Sequence, residues 1–377
     1  MSLLVKMSSF SFSSILLLLL PLLLPALFST FGAEAQPLFN PTKVVNYSVS
    51  AIYIFGDSTV DSGNNDYIAT PFKSNFPPYG QDFPNHIPTG RFTNGRLATD
   101  FIASYVGVKD FVPPYLDETL GLEDLMTGVS FASAGSGFDP LTAQITSVIK
   151  MSKQLEYFKE YKTRLEEAIG KERTENLIQK SVAIISAGTN DFVFNYLAVP
   201  IRRQGYSLED YQQFLMQNLR EFIQGLWEQG VRKIAVVGLP PMGCLPVVIT
   251  FNSQASAQGG CVESYSAVAR DYNLKLQAEL AFMQMSVAFY GGRIMYADIY
   301  QPITDMIQDY KRFGFEEWRS GCCGTGLMEA SFMCNPNSLV CSDVSKYLFW
   351  DSVHPTERAY YYIFSSLYNT IDHLVRD

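Results

Sequence analysis

Short apolar, β-branched runs alternate along this chain with longer amphipathic stretches, and that alternation limits the possible folds more than any other feature. The runs fall at 50–55, 128–132, 182–186, 234–238 and 294–297. Between them, 97–106, 143–169, 211–229 and 265–285 read as helices. In the longest of these, Ile145, Val148, Ile149, Leu155 and Phe158 fall on roughly one face. A last helix follows Pro355, with Ala359, Ile363, Leu367 and Ile371 at every fourth position. Strands that alternate with helices form a parallel sheet covered on both faces. A run as apolar as Ile234-Ala235-Val236-Val237 suits a strand buried on both sides. The expected fold is therefore α/β, with three layers, α/β/α, around a central parallel sheet. Ligands of such sheets bind outside the carboxyl ends of the strands. The chemistry is expected there, at Gly56-Asp57-Ser58, Gly135-Ser136-Gly137, Gly188-Thr189-Asn190-Asp191 and Gly238-Leu239-Pro240.

The ends and the cysteines suggest how the chain is organised. Lys6 precedes an apolar stretch at 15–28 that is broken by Pro21 and Pro25, and Ala33-Glu34-Ala35 supplies a small-residue cleavage pattern. Residues 1–35 thus read as a signal peptide, with a single domain over 36–377. The apolar stretch is short of the roughly 20 residues a spanning helix needs, so no stable membrane insertion is expected. All six cysteines (Cys244, Cys261, Cys322, Cys323, Cys334 and Cys341) follow that segment. An even count in an exported chain reads as disulfides, and the C-x-x-C pairs of a structural zinc site are missing. Cys244–Cys261 is the first pairing expected, and the adjacent Cys322 and Cys323 should have different partners. Asn46-Tyr47-Ser48 is a glycosylation sequon, which marks Asn46 as a surface position of a secreted protein. The net charge of −9 argues against binding a nucleic-acid backbone or an anionic lipid surface.

Three histidines limit the choice of catalytic base. His373 lies near the C-terminus and reads as a solvated helix end, and His86 lies in a Pro-rich loop. His354 stands in Asp351-Ser352-Val353-His354-Pro355, where Pro355 suits a helix start and puts His354 at or beside the N-cap. Asp351, one tight turn earlier, could accept the Nδ1 proton and leave Nε2 free as a base. Equally, His354 could cap a helix and Asp351 could be an ordinary loop residue. Ser58 follows the first strand after Gly56, where a sharp turn would project its hydroxyl, although a serine there could also cap a helix. The G-x-S-x-G elbow is absent, because Val60 stands two residues after Ser58. An S-x-x-K pattern at Ser147–Lys150 falls inside the helix expected over 143–169 and lacks its companion motifs, so it reads as coincidence. The Gly135 backbone, the Asn190 side chain and the Ser58 amide follow the right strands to serve as oxyanion donors. Tight-turn glycines and a helix-capping asparagine are the plainer alternative.

Taken in order, these segments resemble the plant GDSL esterase/lipase family, a branch of the SGNH hydrolases. Phe55-Gly56-Asp57-Ser58, continuing through Asp61-Ser62-Gly63-Asn64-Asn65, is similar to its first block. Gly90-Arg91-Phe92-Thr93-Asn94-Gly95-Arg96 resembles a run of the plant branch. Phe131-Ala132-Ser133-Ala134-Gly135-Ser136-Gly137 matches the second block, and Gly188-Thr189-Asn190-Asp191 the third. Gly238-Leu239-Pro240-Pro241-Met242-Gly243-Cys244-Leu245-Pro246 follows another, and Asp351-x-x-His354-Pro355 matches the last. The resemblance implies a flavodoxin-like fold and metal-free, cofactor-free hydrolysis of carboxylic esters, either small molecules or lipids. It also implies Ser58 as nucleophile, His354 as base, Asp351 as its orienter, and Gly135 and Asn190 as oxyanion donors. Gly137 is the alternative to Gly135. One departure is visible: Ser130 stands where relatives usually carry Asn. An acyltransferase built on the same acyl-enzyme, or a binding protein with a vestigial site, are the competing functions.

Overall fold

The computed structural model describes residues 48–199 and 201–376. The expected leader at 1–35 and the sequon asparagine Asn46 lie outside the described residues. The described residues form one compact unit.

Four parallel strands build the main sheet: β1 (Ile52–Gly56), β2 (Val182–Ser186), β3 (Lys233–Val237) and β4 (Arg293–Ala297), in the order β1-β2-β3-β4. Both faces of β1 are apolar because both are covered. Tyr53 and Phe55 point one way and pack edge-on against Phe158 of the helix Met151–Ile169. Phe55 also meets Phe222 of the helix Leu208–Glu228. Ile52 points the other way, toward Ile102 of the helix Ala98–Tyr105 and Ile371 of the helix Tyr368–Val375. This two-sided burial removes the period-two alternation that a half-exposed strand would carry. The result is the expected three-layer α/β/α fold with a central parallel sheet.

Three sequence expectations need correction. The run 128–132 lies beside β1 without forming a regular ladder. It makes one parallel bridge, Ile54 to Ser130, with Phe131 N donating to Ile54 O at 2.7 Å and Ser133 N to Gly56 O at 3.0 Å. Its other edge is taken by the 113–115 segment, through Ser130 N to Pro113 O and Tyr115 N to Ser130 O. The run still holds the outer place beside β1, so the spatial order of the five runs is second, first, third, fourth, fifth. That is the flavodoxin-like order, in which the direction of winding reverses beside β1.

The single helix expected over 143–169 is two helices, Pro140–Thr146 and Met151–Ile169. Ser147 adopts a left-handed conformation (φ 55°) and ends the first of them. Ile145 is consequently half exposed, off the buried face. Ser147–Lys150 is thus a break and not mid-helix, and periodicity could not show it because apolar spacing continues on both sides. The helix after Pro355 begins two residues later than expected. Thr356 is its cap, its side-chain oxygen accepting from Ala359 N, and the helix Glu357–Ser366 follows. A second break at Leu367 separates it from Tyr368–Val375. His354 therefore precedes the cap by two residues and is free to serve elsewhere.

A small two-stranded parallel sheet, β5 (Glu317–Gly321) with β6 (Tyr347–Phe349), carries the C-terminal chemistry. The chain between its strands is cross-linked by Cys322–Cys341 and Cys323–Cys334, and Cys244–Cys261 ties a separate loop. The adjacent cysteines do go to different partners. Alkylation before reduction should label no thiol in the folded protein, and six labelled thiols would contradict the pairing. Replacing Cys244 and Cys261 together by Ser opens a 17-residue loop. In unfolding titrations that should lower stability by roughly 3 kcal/mol, the chain-entropy value for such a loop.

Candidate active site

The site starts at a glycine. Gly56 ends β1 at φ 136°, and a Cβ there would lie 1.8 Å from Ser186 O on β2. Only glycine fits, and the chain turns sharply against its neighbour strand. Gln154 brackets that turn, accepting from Gly56 N at 2.8 Å and donating to Gly56 O at 2.9 Å. Asp57 closes it by accepting from Thr59 N and Thr59 Oγ1. Ser58 stands at the apex, 8% exposed.

The other expected residues converge on it. His354 Nε2 lies 2.8 Å from Ser58 Oγ, and His354 Nδ1 lies 2.8 and 2.9 Å from the two carboxylate oxygens of Asp351. Asp351 Oδ1 also accepts from the amides of Val353 and His354, which closes the tight turn and locks the spacing of the pair. Phe92 packs on the imidazole with ring centroids 5.0 Å apart. A hydroxyl held this way can pass its proton to Nε2 as it attacks, with Asp351 fixing the tautomer. His86 and His373 are both exposed, and neither belongs to this constellation.

Ser58, His354, Gly135 and Asn190 line one cavity of about 250 Å³ whose remaining walls are mostly apolar, including Phe72, Phe194 and Val247. Asn190 makes no side-chain cap for the helical turn it begins, so the helix-capping alternative fails. Its Nδ2 donates instead to Ser136 O at 2.9 Å, which leaves one N–H to spare. Among the described residues, no hydrogen bond uses the amides of Ser58 or Gly135. Gly137 does not line this cavity. A Cβ on it would lie 2.2 Å from Asp191 Oδ1, so its glycine serves packing against that carboxylate. A second apolar cavity behind the same loops, lined by Val60, Val353 and Tyr360, includes none of the converging polar groups. Among the described residues, no three His, Cys, Asp or Glu side chains gather to hold a metal ion. None of the described helices is long and apolar enough to cross a membrane.

A family model for GDSL-like lipase/acylhydrolase matches residues 52–367. The chain belongs to that family. It is similar to the Arabidopsis thaliana GDSL esterase/lipase At5g45960, 58% identical over 322 residues that cover 85% of this chain and 86% of the relative. It is similar also to At2g40250 from the same plant, 48% identical over 316 residues, 83% of this chain and 87% of the relative. At1g06990, again from Arabidopsis, is 44% identical over 336 residues, covering 88% and 93%. The protein is accordingly a carboxylic ester hydrolase.

In this GDSL hydrolase, the polar residues that follow Ser58 build the second block from beneath, a task that sequence reasoning left unassigned. Asp61 accepts from Ala134 N at 2.9 Å and from the amides of Gly63 and Asn64. Asn64 donates to Ser130 O and Ala132 O, and Asn65 to Ala134 O. Four side-chain bonds from one loop thus fix the backbone that presents Gly135. Ser130, the departure from the family pattern, bonds Val60 O through its hydroxyl. The third block is pinned likewise, with Asp191 accepting from Phe138 N and Asp139 N. The signal was present in the motif: a run of Asp and Asn beside a nucleophile candidate suggests loop-fixing acceptors and donors.

Burying these carboxylates has an electrostatic consequence. Loss of solvent pushes Asp191 from 3.8 up to about 7, and Asp57 and Asp61 up to about 6, against the opposing pull of their hydrogen bonds. Each folded value exceeds the unfolded one, so the folded protein binds the extra protons. The stability these groups contribute is full below about pH 4 and is lost as pH rises toward about 7. Asp191→Asn, which cannot ionise, should therefore be least stable relative to wild type near pH 4 and gain on it as pH approaches 7. Thermal melts across that window check this, and a difference that does not change with pH would contradict it.

Proposed function

We propose that the protein is an exported serine esterase that cleaves acyl esters through a covalent acyl-enzyme. Ser58 is the nucleophile, His354 the general base and then acid, and Asp351 the group that orients and stabilises the imidazolium. The observation that carries this reading is the continuous chain Ser58 Oγ, His354 Nε2, His354 Nδ1, Asp351, with each link at 2.8–2.9 Å. Ser58 Oγ attacks the ester carbonyl carbon while its proton passes to Nε2. The carbonyl oxygen becomes an oxyanion, met by the unpaired amides of Ser58 and Gly135 and the spare N–H of Asn190. Collapse breaks the ester bond, and the alcohol leaves with the proton from His354. Water, activated by the same imidazole, then releases the acid and restores Ser58.

The apolar walls of the cavity favour an apolar acyl or alcohol group, so lipid-like and other apolar esters are the proposed substrates. Export is supported by three disulfides, which persist in oxidising compartments, together with the leader-like sequence at 1–35. A fluorophosphonate probe should label the wild type and leave Ser58→Ala unlabelled. Labelling that survives the substitution would remove Ser58 from the mechanism.

Asn190 gives a second, independent test. An oxyanion donor acts more strongly on the transition state than on the substrate, so its loss lowers kcat and leaves KM nearly unchanged. Asn190→Ala should lower kcat by about 10²–10³. His354→Ala should be weaker still on every ester. Steady-state kinetics alongside a thermal melt would decide the matter: a lowered melting temperature with wild-type kcat would make Asn190 structural.

A further inference from the structure

We propose that Tyr79 is a positioning residue for the Ser58–His354–Asp351 set, a role that rests on the mechanism above. Tyr79 is 272 residues from Asp351 in sequence and fully buried beside it. Its hydroxyl donates to Asp351 Oδ2 at 2.7 Å and accepts from Ser331 N at 2.8 Å. The direction of that donation is fixed by chemistry. An amide can only donate, so Ser331 occupies the acceptor side of the phenol and its single proton is left for the carboxylate. Burial, reinforced by the Asp351 charge, pushes the phenol well above its ordinary range, so it keeps the proton at any pH at which an esterase works.

Without Tyr79, Oδ2 would face only the imidazole, and the backbone amides would hold the carboxylate through one oxygen alone. With it, Oδ1 is held by two backbone amides and Oδ2 by the phenol. All three donors act on a carboxylate with no solvent exposure, where hydrogen bonds to a charged acceptor are strongest. The phenol is itself immobilised. Phe76, Phe92 and Trp350 meet its ring edge-on at 5.8–6.1 Å between centroids. Ser331 is anchored through its hydroxyl to Pro71 O and Lys73 O. The orientation of the Asp351 carboxylate is thus referred to a separate small core that also contains Cys322, Cys323 and Cys334.

The test is a double-substitution cycle, because a residue that acts only through Asp351 has nothing to do once Asp351 is gone. Tyr79→Phe should lower kcat about tenfold, or ~1.4 kcal/mol of barrier, with KM little changed. In an Asp351→Asn background the same substitution should change kcat no further. Tyr79→His keeps a ring-borne donor in a smaller volume and should retain more turnover than Tyr79→Phe, even if it melts earlier. An equal loss in both backgrounds, wild-type kcat for Tyr79→Phe, or turnover that follows melting temperature instead of the donor would each overturn the proposal. Asp351→Asn with wild-type turnover would instead remove the Ser-His-Asp mechanism on which it rests.

Discussion

Holding His354 Nε2 at 2.8 Å from Ser58 Oγ joins two loops 296 residues apart, and neither loop touches the other through regular secondary structure. Catalytic geometry tolerates errors of only about 0.5 Å, so each loop must be fixed separately and to the same frame. The Ser58 loop takes its frame from the main sheet. Gly56 permits an approach to β2 that no side chain could survive, and Gln154 clamps the turn from the adjoining helix. The His354 loop takes its frame from Asp351, whose carboxylate bonds the backbone of its own turn as well as the imidazole. One side chain therefore fixes both its own turn and the imidazole that the turn carries.

The Gly135 side of the cavity is built on a different principle. Gly135 is in no strand or helix, so its amide must be aimed by side chains. Asp61, Asn64 and Asn65 do this from the loop that follows Ser58, which means that displacing one half of the site displaces the other. The carboxylate recruited for the purpose, Asp61, is fully buried, and that burial pushes its pKa up to about 6 against the pull of its hydrogen bonds. The site exchanges some stability near neutral pH for fixed donors, which is the usual direction of compromise where a charge must be met without reorganisation.

Much of this was legible in the sequence, for a physical reason. The main-sheet strands are largely buried, so their apolar composition identified them, whereas β5 and β6 escaped; the rule that ligands bind at strand ends then pointed to Ser58, Gly135 and Asn190. The Asp351–His354 pair was legible because a tight turn brings residues three apart into contact. What escaped depended on partners distant in sequence. The 128–132 run is apolar and strand-like, but it makes only one bridge to β1, and its outer edge is taken by residues 113–115. The break at Ser147 depends on the fold around it, because a left-handed serine carries no local mark. Tyr79 belongs to none of the sequence motifs, and only the folded chain brings its hydroxyl to Asp351.

The disulfides belong to the same argument. Between β5 and β6 the described backbone is largely irregular, and the base-bearing turn follows directly after β6. Backbone bonds tie the two together, with Cys322 N donating to Phe349 O and Cys323 N to Trp350 O. A segment with so little regular structure cannot draw rigidity from ladders or helix packing. The Cys322–Cys341 and Cys323–Cys334 links shorten its free loops to 19 and 11 residues and deliver buried sulfur atoms into the core beneath Tyr79 and Trp350. Covalent closure therefore acts on the half of the site that the main sheet does not reach. Ser58 is held by the main sheet and His354 by a turn tied to a cross-linked loop, and the hydrogen bond between them lasts only while both supports keep their register.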